Sequence, residues 1–171
     1  MKNTLWLGAM SLWICATASA HDGNVNISGS IQDNTCTVAT DSQALQVPLG
    51  NIPSKQFTSK GVGSQPAVFV IDLQKCGTAA AGVSFTFTGA VDTDDNGLLA
   101  LDGSNHAGGI GVEIQDADHV RLPLNQTTPV YTVDPNQADN KFTFYARYLA
   151  TADSVTSGDA SASATFSLTW Q

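Results

Sequence analysis

The sequence predicts an all-β protein built as a two-sheet sandwich. Apolar and polar residues alternate with a period of two near both ends of the chain, which is typical of strands with one buried face. Short β-rich runs recur between clusters of Gly, Asp, Asn and Pro, and no long window repeats good helix formers every 3.6 residues. Many short strands in one chain favour a sandwich of immunoglobulin-like type. The predicted strands are 24–32, 36–40, 44–50, 66–74, 82–89, 97–101, 109–116, 119–124, 141–149 and 160–170.

Residues 1–20 have the pattern of a secretory signal peptide that is removed from the mature protein. Lys2 precedes an apolar run from Leu5 to about Ala16, and Ala18-Ser19-Ala20 forms a small-residue cleavage site. The alternative is a membrane anchor, but the apolar run is too short to span a bilayer comfortably. We therefore expect an exported chain that begins near His21 and is not embedded in a membrane.

The mature chain is acidic and has the length of one domain. Without Lys2, six basic residues remain against fifteen acidic ones, so the formal charge changes from -8 to -9. This balance argues against binding to nucleic acid or to anionic membranes. A length of 151 residues for 21–171 is enough for one sizeable core.

Two cysteines, Cys36 and Cys76, remain after Cys15 leaves with the signal peptide. In an exported chain two cysteines are usually joined. Two free thiols are the alternative, and the spacing matches no zinc signature.

Both ends of the mature chain carry half-apolar strands. The first places Val25, Ile27, Gly29 and Ile31 on one face, and the last continues its alternation to the penultimate residue. Chain ends usually fray, so such strands are expected to be held by a partner. Either both strands complete one closed sandwich, or one of them is offered to another molecule by β-strand addition.

Several segments, in this order and spacing, resemble the pilin subunits of type 1-like fimbriae that the chaperone–usher pathway assembles. The resemblance covers essentially the whole mature chain. It lies in the N-terminal arm with Gly29, Asp33-Asn-Thr-Cys-Thr-Val38, Val47-Pro-Leu-Gly50, Phe69-Val-Ile-Asp-Leu-Gln-Lys-Cys-Gly77, Val83-Ser-Phe-Thr-Phe-Thr-Gly89, Leu98-Leu-Ala-Leu101, Phe144-Tyr-Ala-Arg-Tyr-Leu-Ala-Thr151 and Ala162-Ser-Ala-Thr-Phe-Ser-Leu-Thr-Trp-Gln171.

The resemblance implies an immunoglobulin-like β-sandwich that lacks its last strand and is completed by a donor strand. Residues 34–171 would form the incomplete domain, and residues 21–33 would be the arm donated to the next fimbrial subunit. A periplasmic chaperone would fill the groove first, and an outer-membrane usher would catalyse the exchange. The chain would then be a structural subunit of an adhesive fimbria, exported through the periplasm to the cell surface. The alternative function is a closed, monomeric, carbohydrate-binding sandwich.

Roles for single residues also follow from the resemblance. Cys36 and Cys76 would form the family's disulfide, and Gly29 would lie where the groove is too shallow for a side chain. Trp170 stands where the family usually has Tyr, and the chaperone would anchor the carboxylate of Gln171. The donor face would be Val25, Ile27, Gly29 and Ile31, and the groove edge that contacts the chaperone would be Ala162, Ala164, Phe166, Leu168, Trp170 and Gln171.

No motif in the sequence supports catalysis, a metal or a cofactor. Asp92-x-Asp94-x-Asn96-Gly97 matches the start of a calcium loop, but the twelfth position is Gly103 instead of Glu, which favours a polar turn. The three histidines show no ligand spacing, and neither a nucleophile elbow nor paired catalytic carboxylates are present. We therefore expect no enzyme activity, no metal and no cofactor.

Overall fold

The computed structural model of this chain describes residues 28–31 and 33–171. They fall into two compact units, with residues 28–31 in the first and residues 33–171 in the second. In the first unit, residues 28–31 adopt no regular secondary structure and Ile31 is fully exposed. The predicted signal peptide and the predicted donor residues Val25 and Ile27 lie outside the described residues.

The described residues of the second unit form seven strands in two antiparallel sheets. One sheet has the order β1-β2-β6-β4 and the other has the order β5-β3-β7. The all-β prediction is confirmed. The strands are β1 Thr37–Val38, β2 Ala67–Gln74, β3 Gly82–Gly89, β4 Ile110–Gln115, β5 Tyr131–Thr132, β6 Asp139–Ala150 and β7 Ala164–Trp170, with short 3-10 turns at Thr40–Ser42 and Ser54–Gln56.

The core lies between the two sheets and follows the period-two pattern of the strands. In β6 every second residue from Phe142 to Ala150 is buried. Phe85 of β3 is fully buried, and its ring centroid lies 5.2 Å from that of Phe142 and 5.1 Å from that of Phe144 on the opposite sheet. Tilted and edge-to-face aromatic pairs of this kind add to the free energy gained from burial alone.

Three predicted strands do not form ladders. Residues 44–50 carry no strand. Residues 97–101 and 119–124 pair with β4 through single bridges, Leu99 to Val112 and Arg121 to Gln115. The short β5 was not predicted, because Pro129 and Pro135 flank it closely and hide a two-residue strand. Alternation thus predicted which faces are buried, but not which backbones are paired.

A disulfide joins Cys36, just before β1, to Cys76, just after β2. Two backbone hydrogen bonds reinforce the junction: the N–H of Gly77 donates to the carbonyl of Thr35 at 2.9 Å, and that of Ala79 donates to the carbonyl of Asp33 at 3.1 Å. The bridge therefore fixes the start of the body beside the end of β2. Within the described residues, no helix is both long enough and apolar enough to cross a membrane.

Candidate functional site: an open apolar groove

A groove of about 870 Å³ opens between residues 42–49 and residues 160–166. Both sheets contribute to its floor, so the groove enters the core of the sandwich itself. The floor is almost entirely apolar and includes two aromatic rings from facing sheets, Phe69 and Phe87, whose centroids lie 6.4 Å apart. The floor residues are Phe69, Phe87, Leu99, Val112, Ile114, Ala146 and Tyr148.

The first wall, residues 44–49, shows strand-like alternation of burial but belongs to no ladder. Leu45, Val47 and Leu49 are half-buried against the core, while Gln46 and Pro48 are exposed. The segment makes no backbone–backbone hydrogen bond with any other described residue. It therefore presents unpaired backbone groups beside an apolar floor, which is the geometry of a sheet edge.

The second wall is β7 with the residues before it, and β7 pairs with β3 along one edge only. The N–H of Gln171 donates to the carbonyl of Gly82 at 3.0 Å. Opposite residues in an antiparallel ladder alternate between bonded and unbonded pairs, so the backbone groups of Phe166, Leu168 and Trp170 point away from β3. These residues also turn their half-buried apolar side chains inward. One set of residues thus supplies both a free backbone edge and an apolar face.

The segment before β7 is held in place by the rest of the body. The hydroxyl of Tyr148 donates to the carbonyl of Ala160 at 2.6 Å, and burial raises the pKa of this phenol, which keeps its proton available. The N–H of Asp102 donates to the carbonyl of Ser161 at 2.7 Å, and its carboxylate accepts from Ser163 Oγ at 2.8 Å. These contacts fix residues 160–163 as one rim of the groove.

Charged side chains form ion pairs on the face of β4 and β6 that points away from the groove. Glu113 is only 3% exposed, and its carboxylate accepts hydrogen bonds from Arg147 Nε, from Arg121 Nε at 2.7 Å and from Gln115 Nε2 at 2.8 Å. Arg121 Nη1 also reaches Asp95 Oδ2 at 2.8 Å. Desolvation opposes the charge on Arg121, but the two carboxylates outweigh it and raise the pKa of the guanidinium. The two arginines and Gln115 thus give this buried carboxylate three hydrogen-bond donors.

The structure brings part of the predicted groove edge together. Ala162, Ala164 and Phe166 line the groove, whereas Leu168 and Trp170 continue β7 beyond the lining. Gly29 and Ile31 of the predicted donor face are exposed, and a side chain added at Gly29 would meet no atom within 4 Å. The sequence did not identify the wall at 44–49 as part of the site, although the alternation of Leu45, Val47 and Leu49 was the available signal.

The calcium-like loop is closed by its own backbone. Asp92 Oδ1 accepts from the N–H groups of Asp94 at 2.9 Å and Asp95 at 3.0 Å. These bonds are those of a polar turn. Across the described residues, no group of three or more His, Cys, Asp or Glu side chains is arranged to hold a metal ion.

Comparison with known proteins agrees with this geometry. The family model described as "Fimbrial protein" matches residues 25–171. S-fimbrial protein subunit SfaG of Escherichia coli O6:K15:H31 (strain 536 / UPEC) is 37% identical over 158 residues, which cover 92% of this chain and 86% of that protein.

Solved structures show the same fold. The type I fimbria protein BPSL1626 of Burkholderia pseudomallei is 28% identical with a TM-score of 0.64, over 80% of this chain and 90% of that one. A chain from a chaperone–usher pilus is 23% identical with a TM-score of 0.66, over 91% of this chain and 99% of that one, and this likeness concerns the fold alone. The chain described here thus belongs to the fimbrial protein family and is a structural pilus subunit, not an enzyme.

Proposed function

We propose that this subunit polymerises by donor-strand exchange, in which the open groove receives the N-terminal arm of another subunit. The observation that carries the proposal is a groove of about 870 Å³ with an apolar floor, between residues 44–49, which make no backbone–backbone hydrogen bond with other described residues, and the edge of β7 that faces away from β3. Such a site offers main-chain hydrogen bonds on two sides and apolar contacts below. These are the requirements for β-strand addition.

The arm at residues 21–33 has the composition of a suitable donor. Burial of Val25, Ile27 and Ile31 would contribute roughly 1.5–3 kcal/mol each, and the ladder would add to this. Gly29 would lie over the shallow part of the groove, where a side chain does not fit. A strand held along both edges would dissociate very slowly, which suits a fibre exposed to mechanical load.

An empty groove with free edges would also make the lone subunit prone to aggregation. We therefore propose that a periplasmic chaperone fills the groove first, contacts β7 and anchors the carboxylate of Gln171. An outer-membrane usher would then exchange the chaperone for the arm of the next subunit, and the chain would reach the cell surface as part of an adhesive fimbria.

The test is to change the arm while leaving the body intact. A chain without residues 21–33 should still bind its chaperone and accept an arm peptide, but should no longer donate. The I27D/I31D variant should also fail as a donor, whereas N24D/N26D, with the same added charge on the other face, should polymerise. Native gels of chaperone complexes mixed with usher would report both activities. If the deletion unfolded the body even beside a chaperone, the arm would belong to a closed sandwich and the proposal would be wrong.

A further inference from the structure

We propose that Asp102 makes the groove selective for the charge of its donor strand. The groove would prefer a donor that is neutral or basic where it passes Asp102, and would disfavour an acidic one. This inference rests on the proposed donor-strand function and adds the chemistry of the preferred partner.

Asp102 has an unusual position in the groove. Of the described residues that line it, Asp102 is the only one with a charged side chain. Its backbone N–H is bonded to Ser161, and its carboxylate is bonded to the hydroxyl of Ser163. Both contacts are to the rim segment itself. The charge is therefore fixed at the rim and does not move freely on a loop.

No lining residue neutralises this carboxylate. On the other side of the groove, residues 42–49 contribute Ser42, Gln43 and Gln46 as polar side chains, and none of them is cationic. A strand that filled the groove would displace water from the rim and lower the local dielectric constant. The interaction of Asp102 with charges on that strand would then become stronger than in open solvent.

The direction of the donor identifies which of its residues would meet Asp102. Every ladder between named strands in the body is antiparallel, so we expect a donor antiparallel to β7. Its C-terminal end would then lie beside residues 160–163. In this chain's own arm residues 23–32 are uncharged, but Asp33 follows directly. A sibling subunit with a neutral or basic residue near that end would consequently be a better donor than a second copy.

The experiment uses the mature chain in complex with its chaperone and measures uptake of synthetic arm peptides. The peptides span residues 21–33 in the native form and with Lys or Glu replacing Ser30, Gln32 or Asp33. We expect Lys peptides to be taken up about two- to fivefold better than Glu peptides at one or more of these positions. The preference should shrink as salt is raised.

Three acceptor variants separate the charge from other effects. D102N removes the charge but keeps an oxygen for the Ser163 hydroxyl, and should abolish the preference. S163A removes the hydrogen bond but keeps the charge, and should retain the preference. D118N changes an exposed acid outside the groove lining and should behave like the native chain.

The outcomes are distinguishable. Equal uptake of Lys and Glu peptides at all three positions, or an unchanged preference in D102N, would overturn the role of Asp102 while leaving strand exchange intact. Failure of every peptide to enter the groove would instead overturn the donor-strand function, and the selectivity with it.

Discussion

Glu113 of β4 and Arg147 of β6 lie directly opposite each other and form an ion pair behind the floor of the groove. Glu113 lies between Val112 and Ile114, and Arg147 lies between Ala146 and Tyr148, all four of which line the groove. Because side chains alternate across a strand, the pair occupies the reverse face of the same two strands. The groove floor and the ion pair are therefore two faces of one piece of sheet.

Replacement of Arg147 by Met should destabilise the body. The buried carboxylate of Glu113 would lose one of its charged partners and keep Arg121, so we expect a loss of about 1–3 kcal/mol in the free energy of unfolding. Urea denaturation of the chain with an arm peptide bound would measure it. The E113M/R147M double variant should lose less, because it leaves no unpaired buried charge. An R147M chain as stable as the native one would contradict the assigned role.

Removal of the disulfide should lower the free energy of unfolding, because the unfolded chain would gain conformational entropy. The bridge spans a sequence separation of 40 residues, and C36S/C76S should cost about 4 kcal/mol in the chain-entropy model. Thermal unfolding of the chain with an arm peptide bound, under oxidising conditions, would measure the change. Addition of reductant should lower the melting temperature of the native chain to that of the variant, and a native chain insensitive to reductant would contradict this account.

Because side chains alternate along β7, substitutions at neighbouring positions should affect retention of an arm peptide differently. Phe166 faces Phe87 across the ladder and lines the groove, so F166A should weaken retention of an arm peptide by about 1–3 kcal/mol. Ser167 is exposed on the other face, and S167A should leave retention unchanged. Peptide dissociation followed by fluorescence anisotropy would compare them. Equal effects at both positions would show that β7 does not form the edge of the binding site.

The contact between Asp95 and Arg121 should make stability depend on acid. Desolvation raises the pKa of Asp95, but hydrogen bonds from Gly97 and Arg121 and the charge of Arg121 outweigh it, so the pKa lies below its ordinary value of 3.8. A depressed pKa in the folded state stabilises the fold above the ordinary value, and this contribution is lost as the pH falls through the folded value. D95N should therefore be less stable than the native chain near neutral pH by roughly 0.2–1 kcal/mol. The free energies of unfolding of D95N and of the native chain, measured by denaturation at a series of pH values, should converge in strong acid. A constant difference across pH would refute the role of Asp95.

The sequence predicted the buried faces well because a strand with one buried face has apolar residues at every second position. The alternations in 66–74, 82–89, 141–149 and 160–170 correspond to β2, β3, β6 and β7. Residues 44–50 show why alternation alone does not predict a strand. Their apolar side chains do pack on the core, but a strand also needs a neighbour, and side-chain pattern says nothing about whether a neighbour is present.

Charged groups were harder to predict for a different reason. Asp95, Glu113, Arg121 and Arg147 lie on different segments of the chain. They meet only because of the register of β4 with β6 and two single bridges to β4. Glu113 carried one usable signal, since a carboxylate within the apolar run of β4 must find partners or be expelled. Asp102 had no such signal in the sequence, because its proposed role depends only on its position in the lining of the groove.

The coincidence of free backbone groups and inward side chains at Phe166, Leu168 and Trp170 also limits how assembly can fail. A donor strand that enters one residue out of register could keep its ladder only by turning its apolar side chains out to solvent, whereas a slip of two residues would keep both the ladder and the apolar contacts. Errors in such a polymer would therefore be discrete, in steps of about 6.6–6.8 Å along the strand. Subunit spacing in a faulty fibre would take separate values and would not vary continuously.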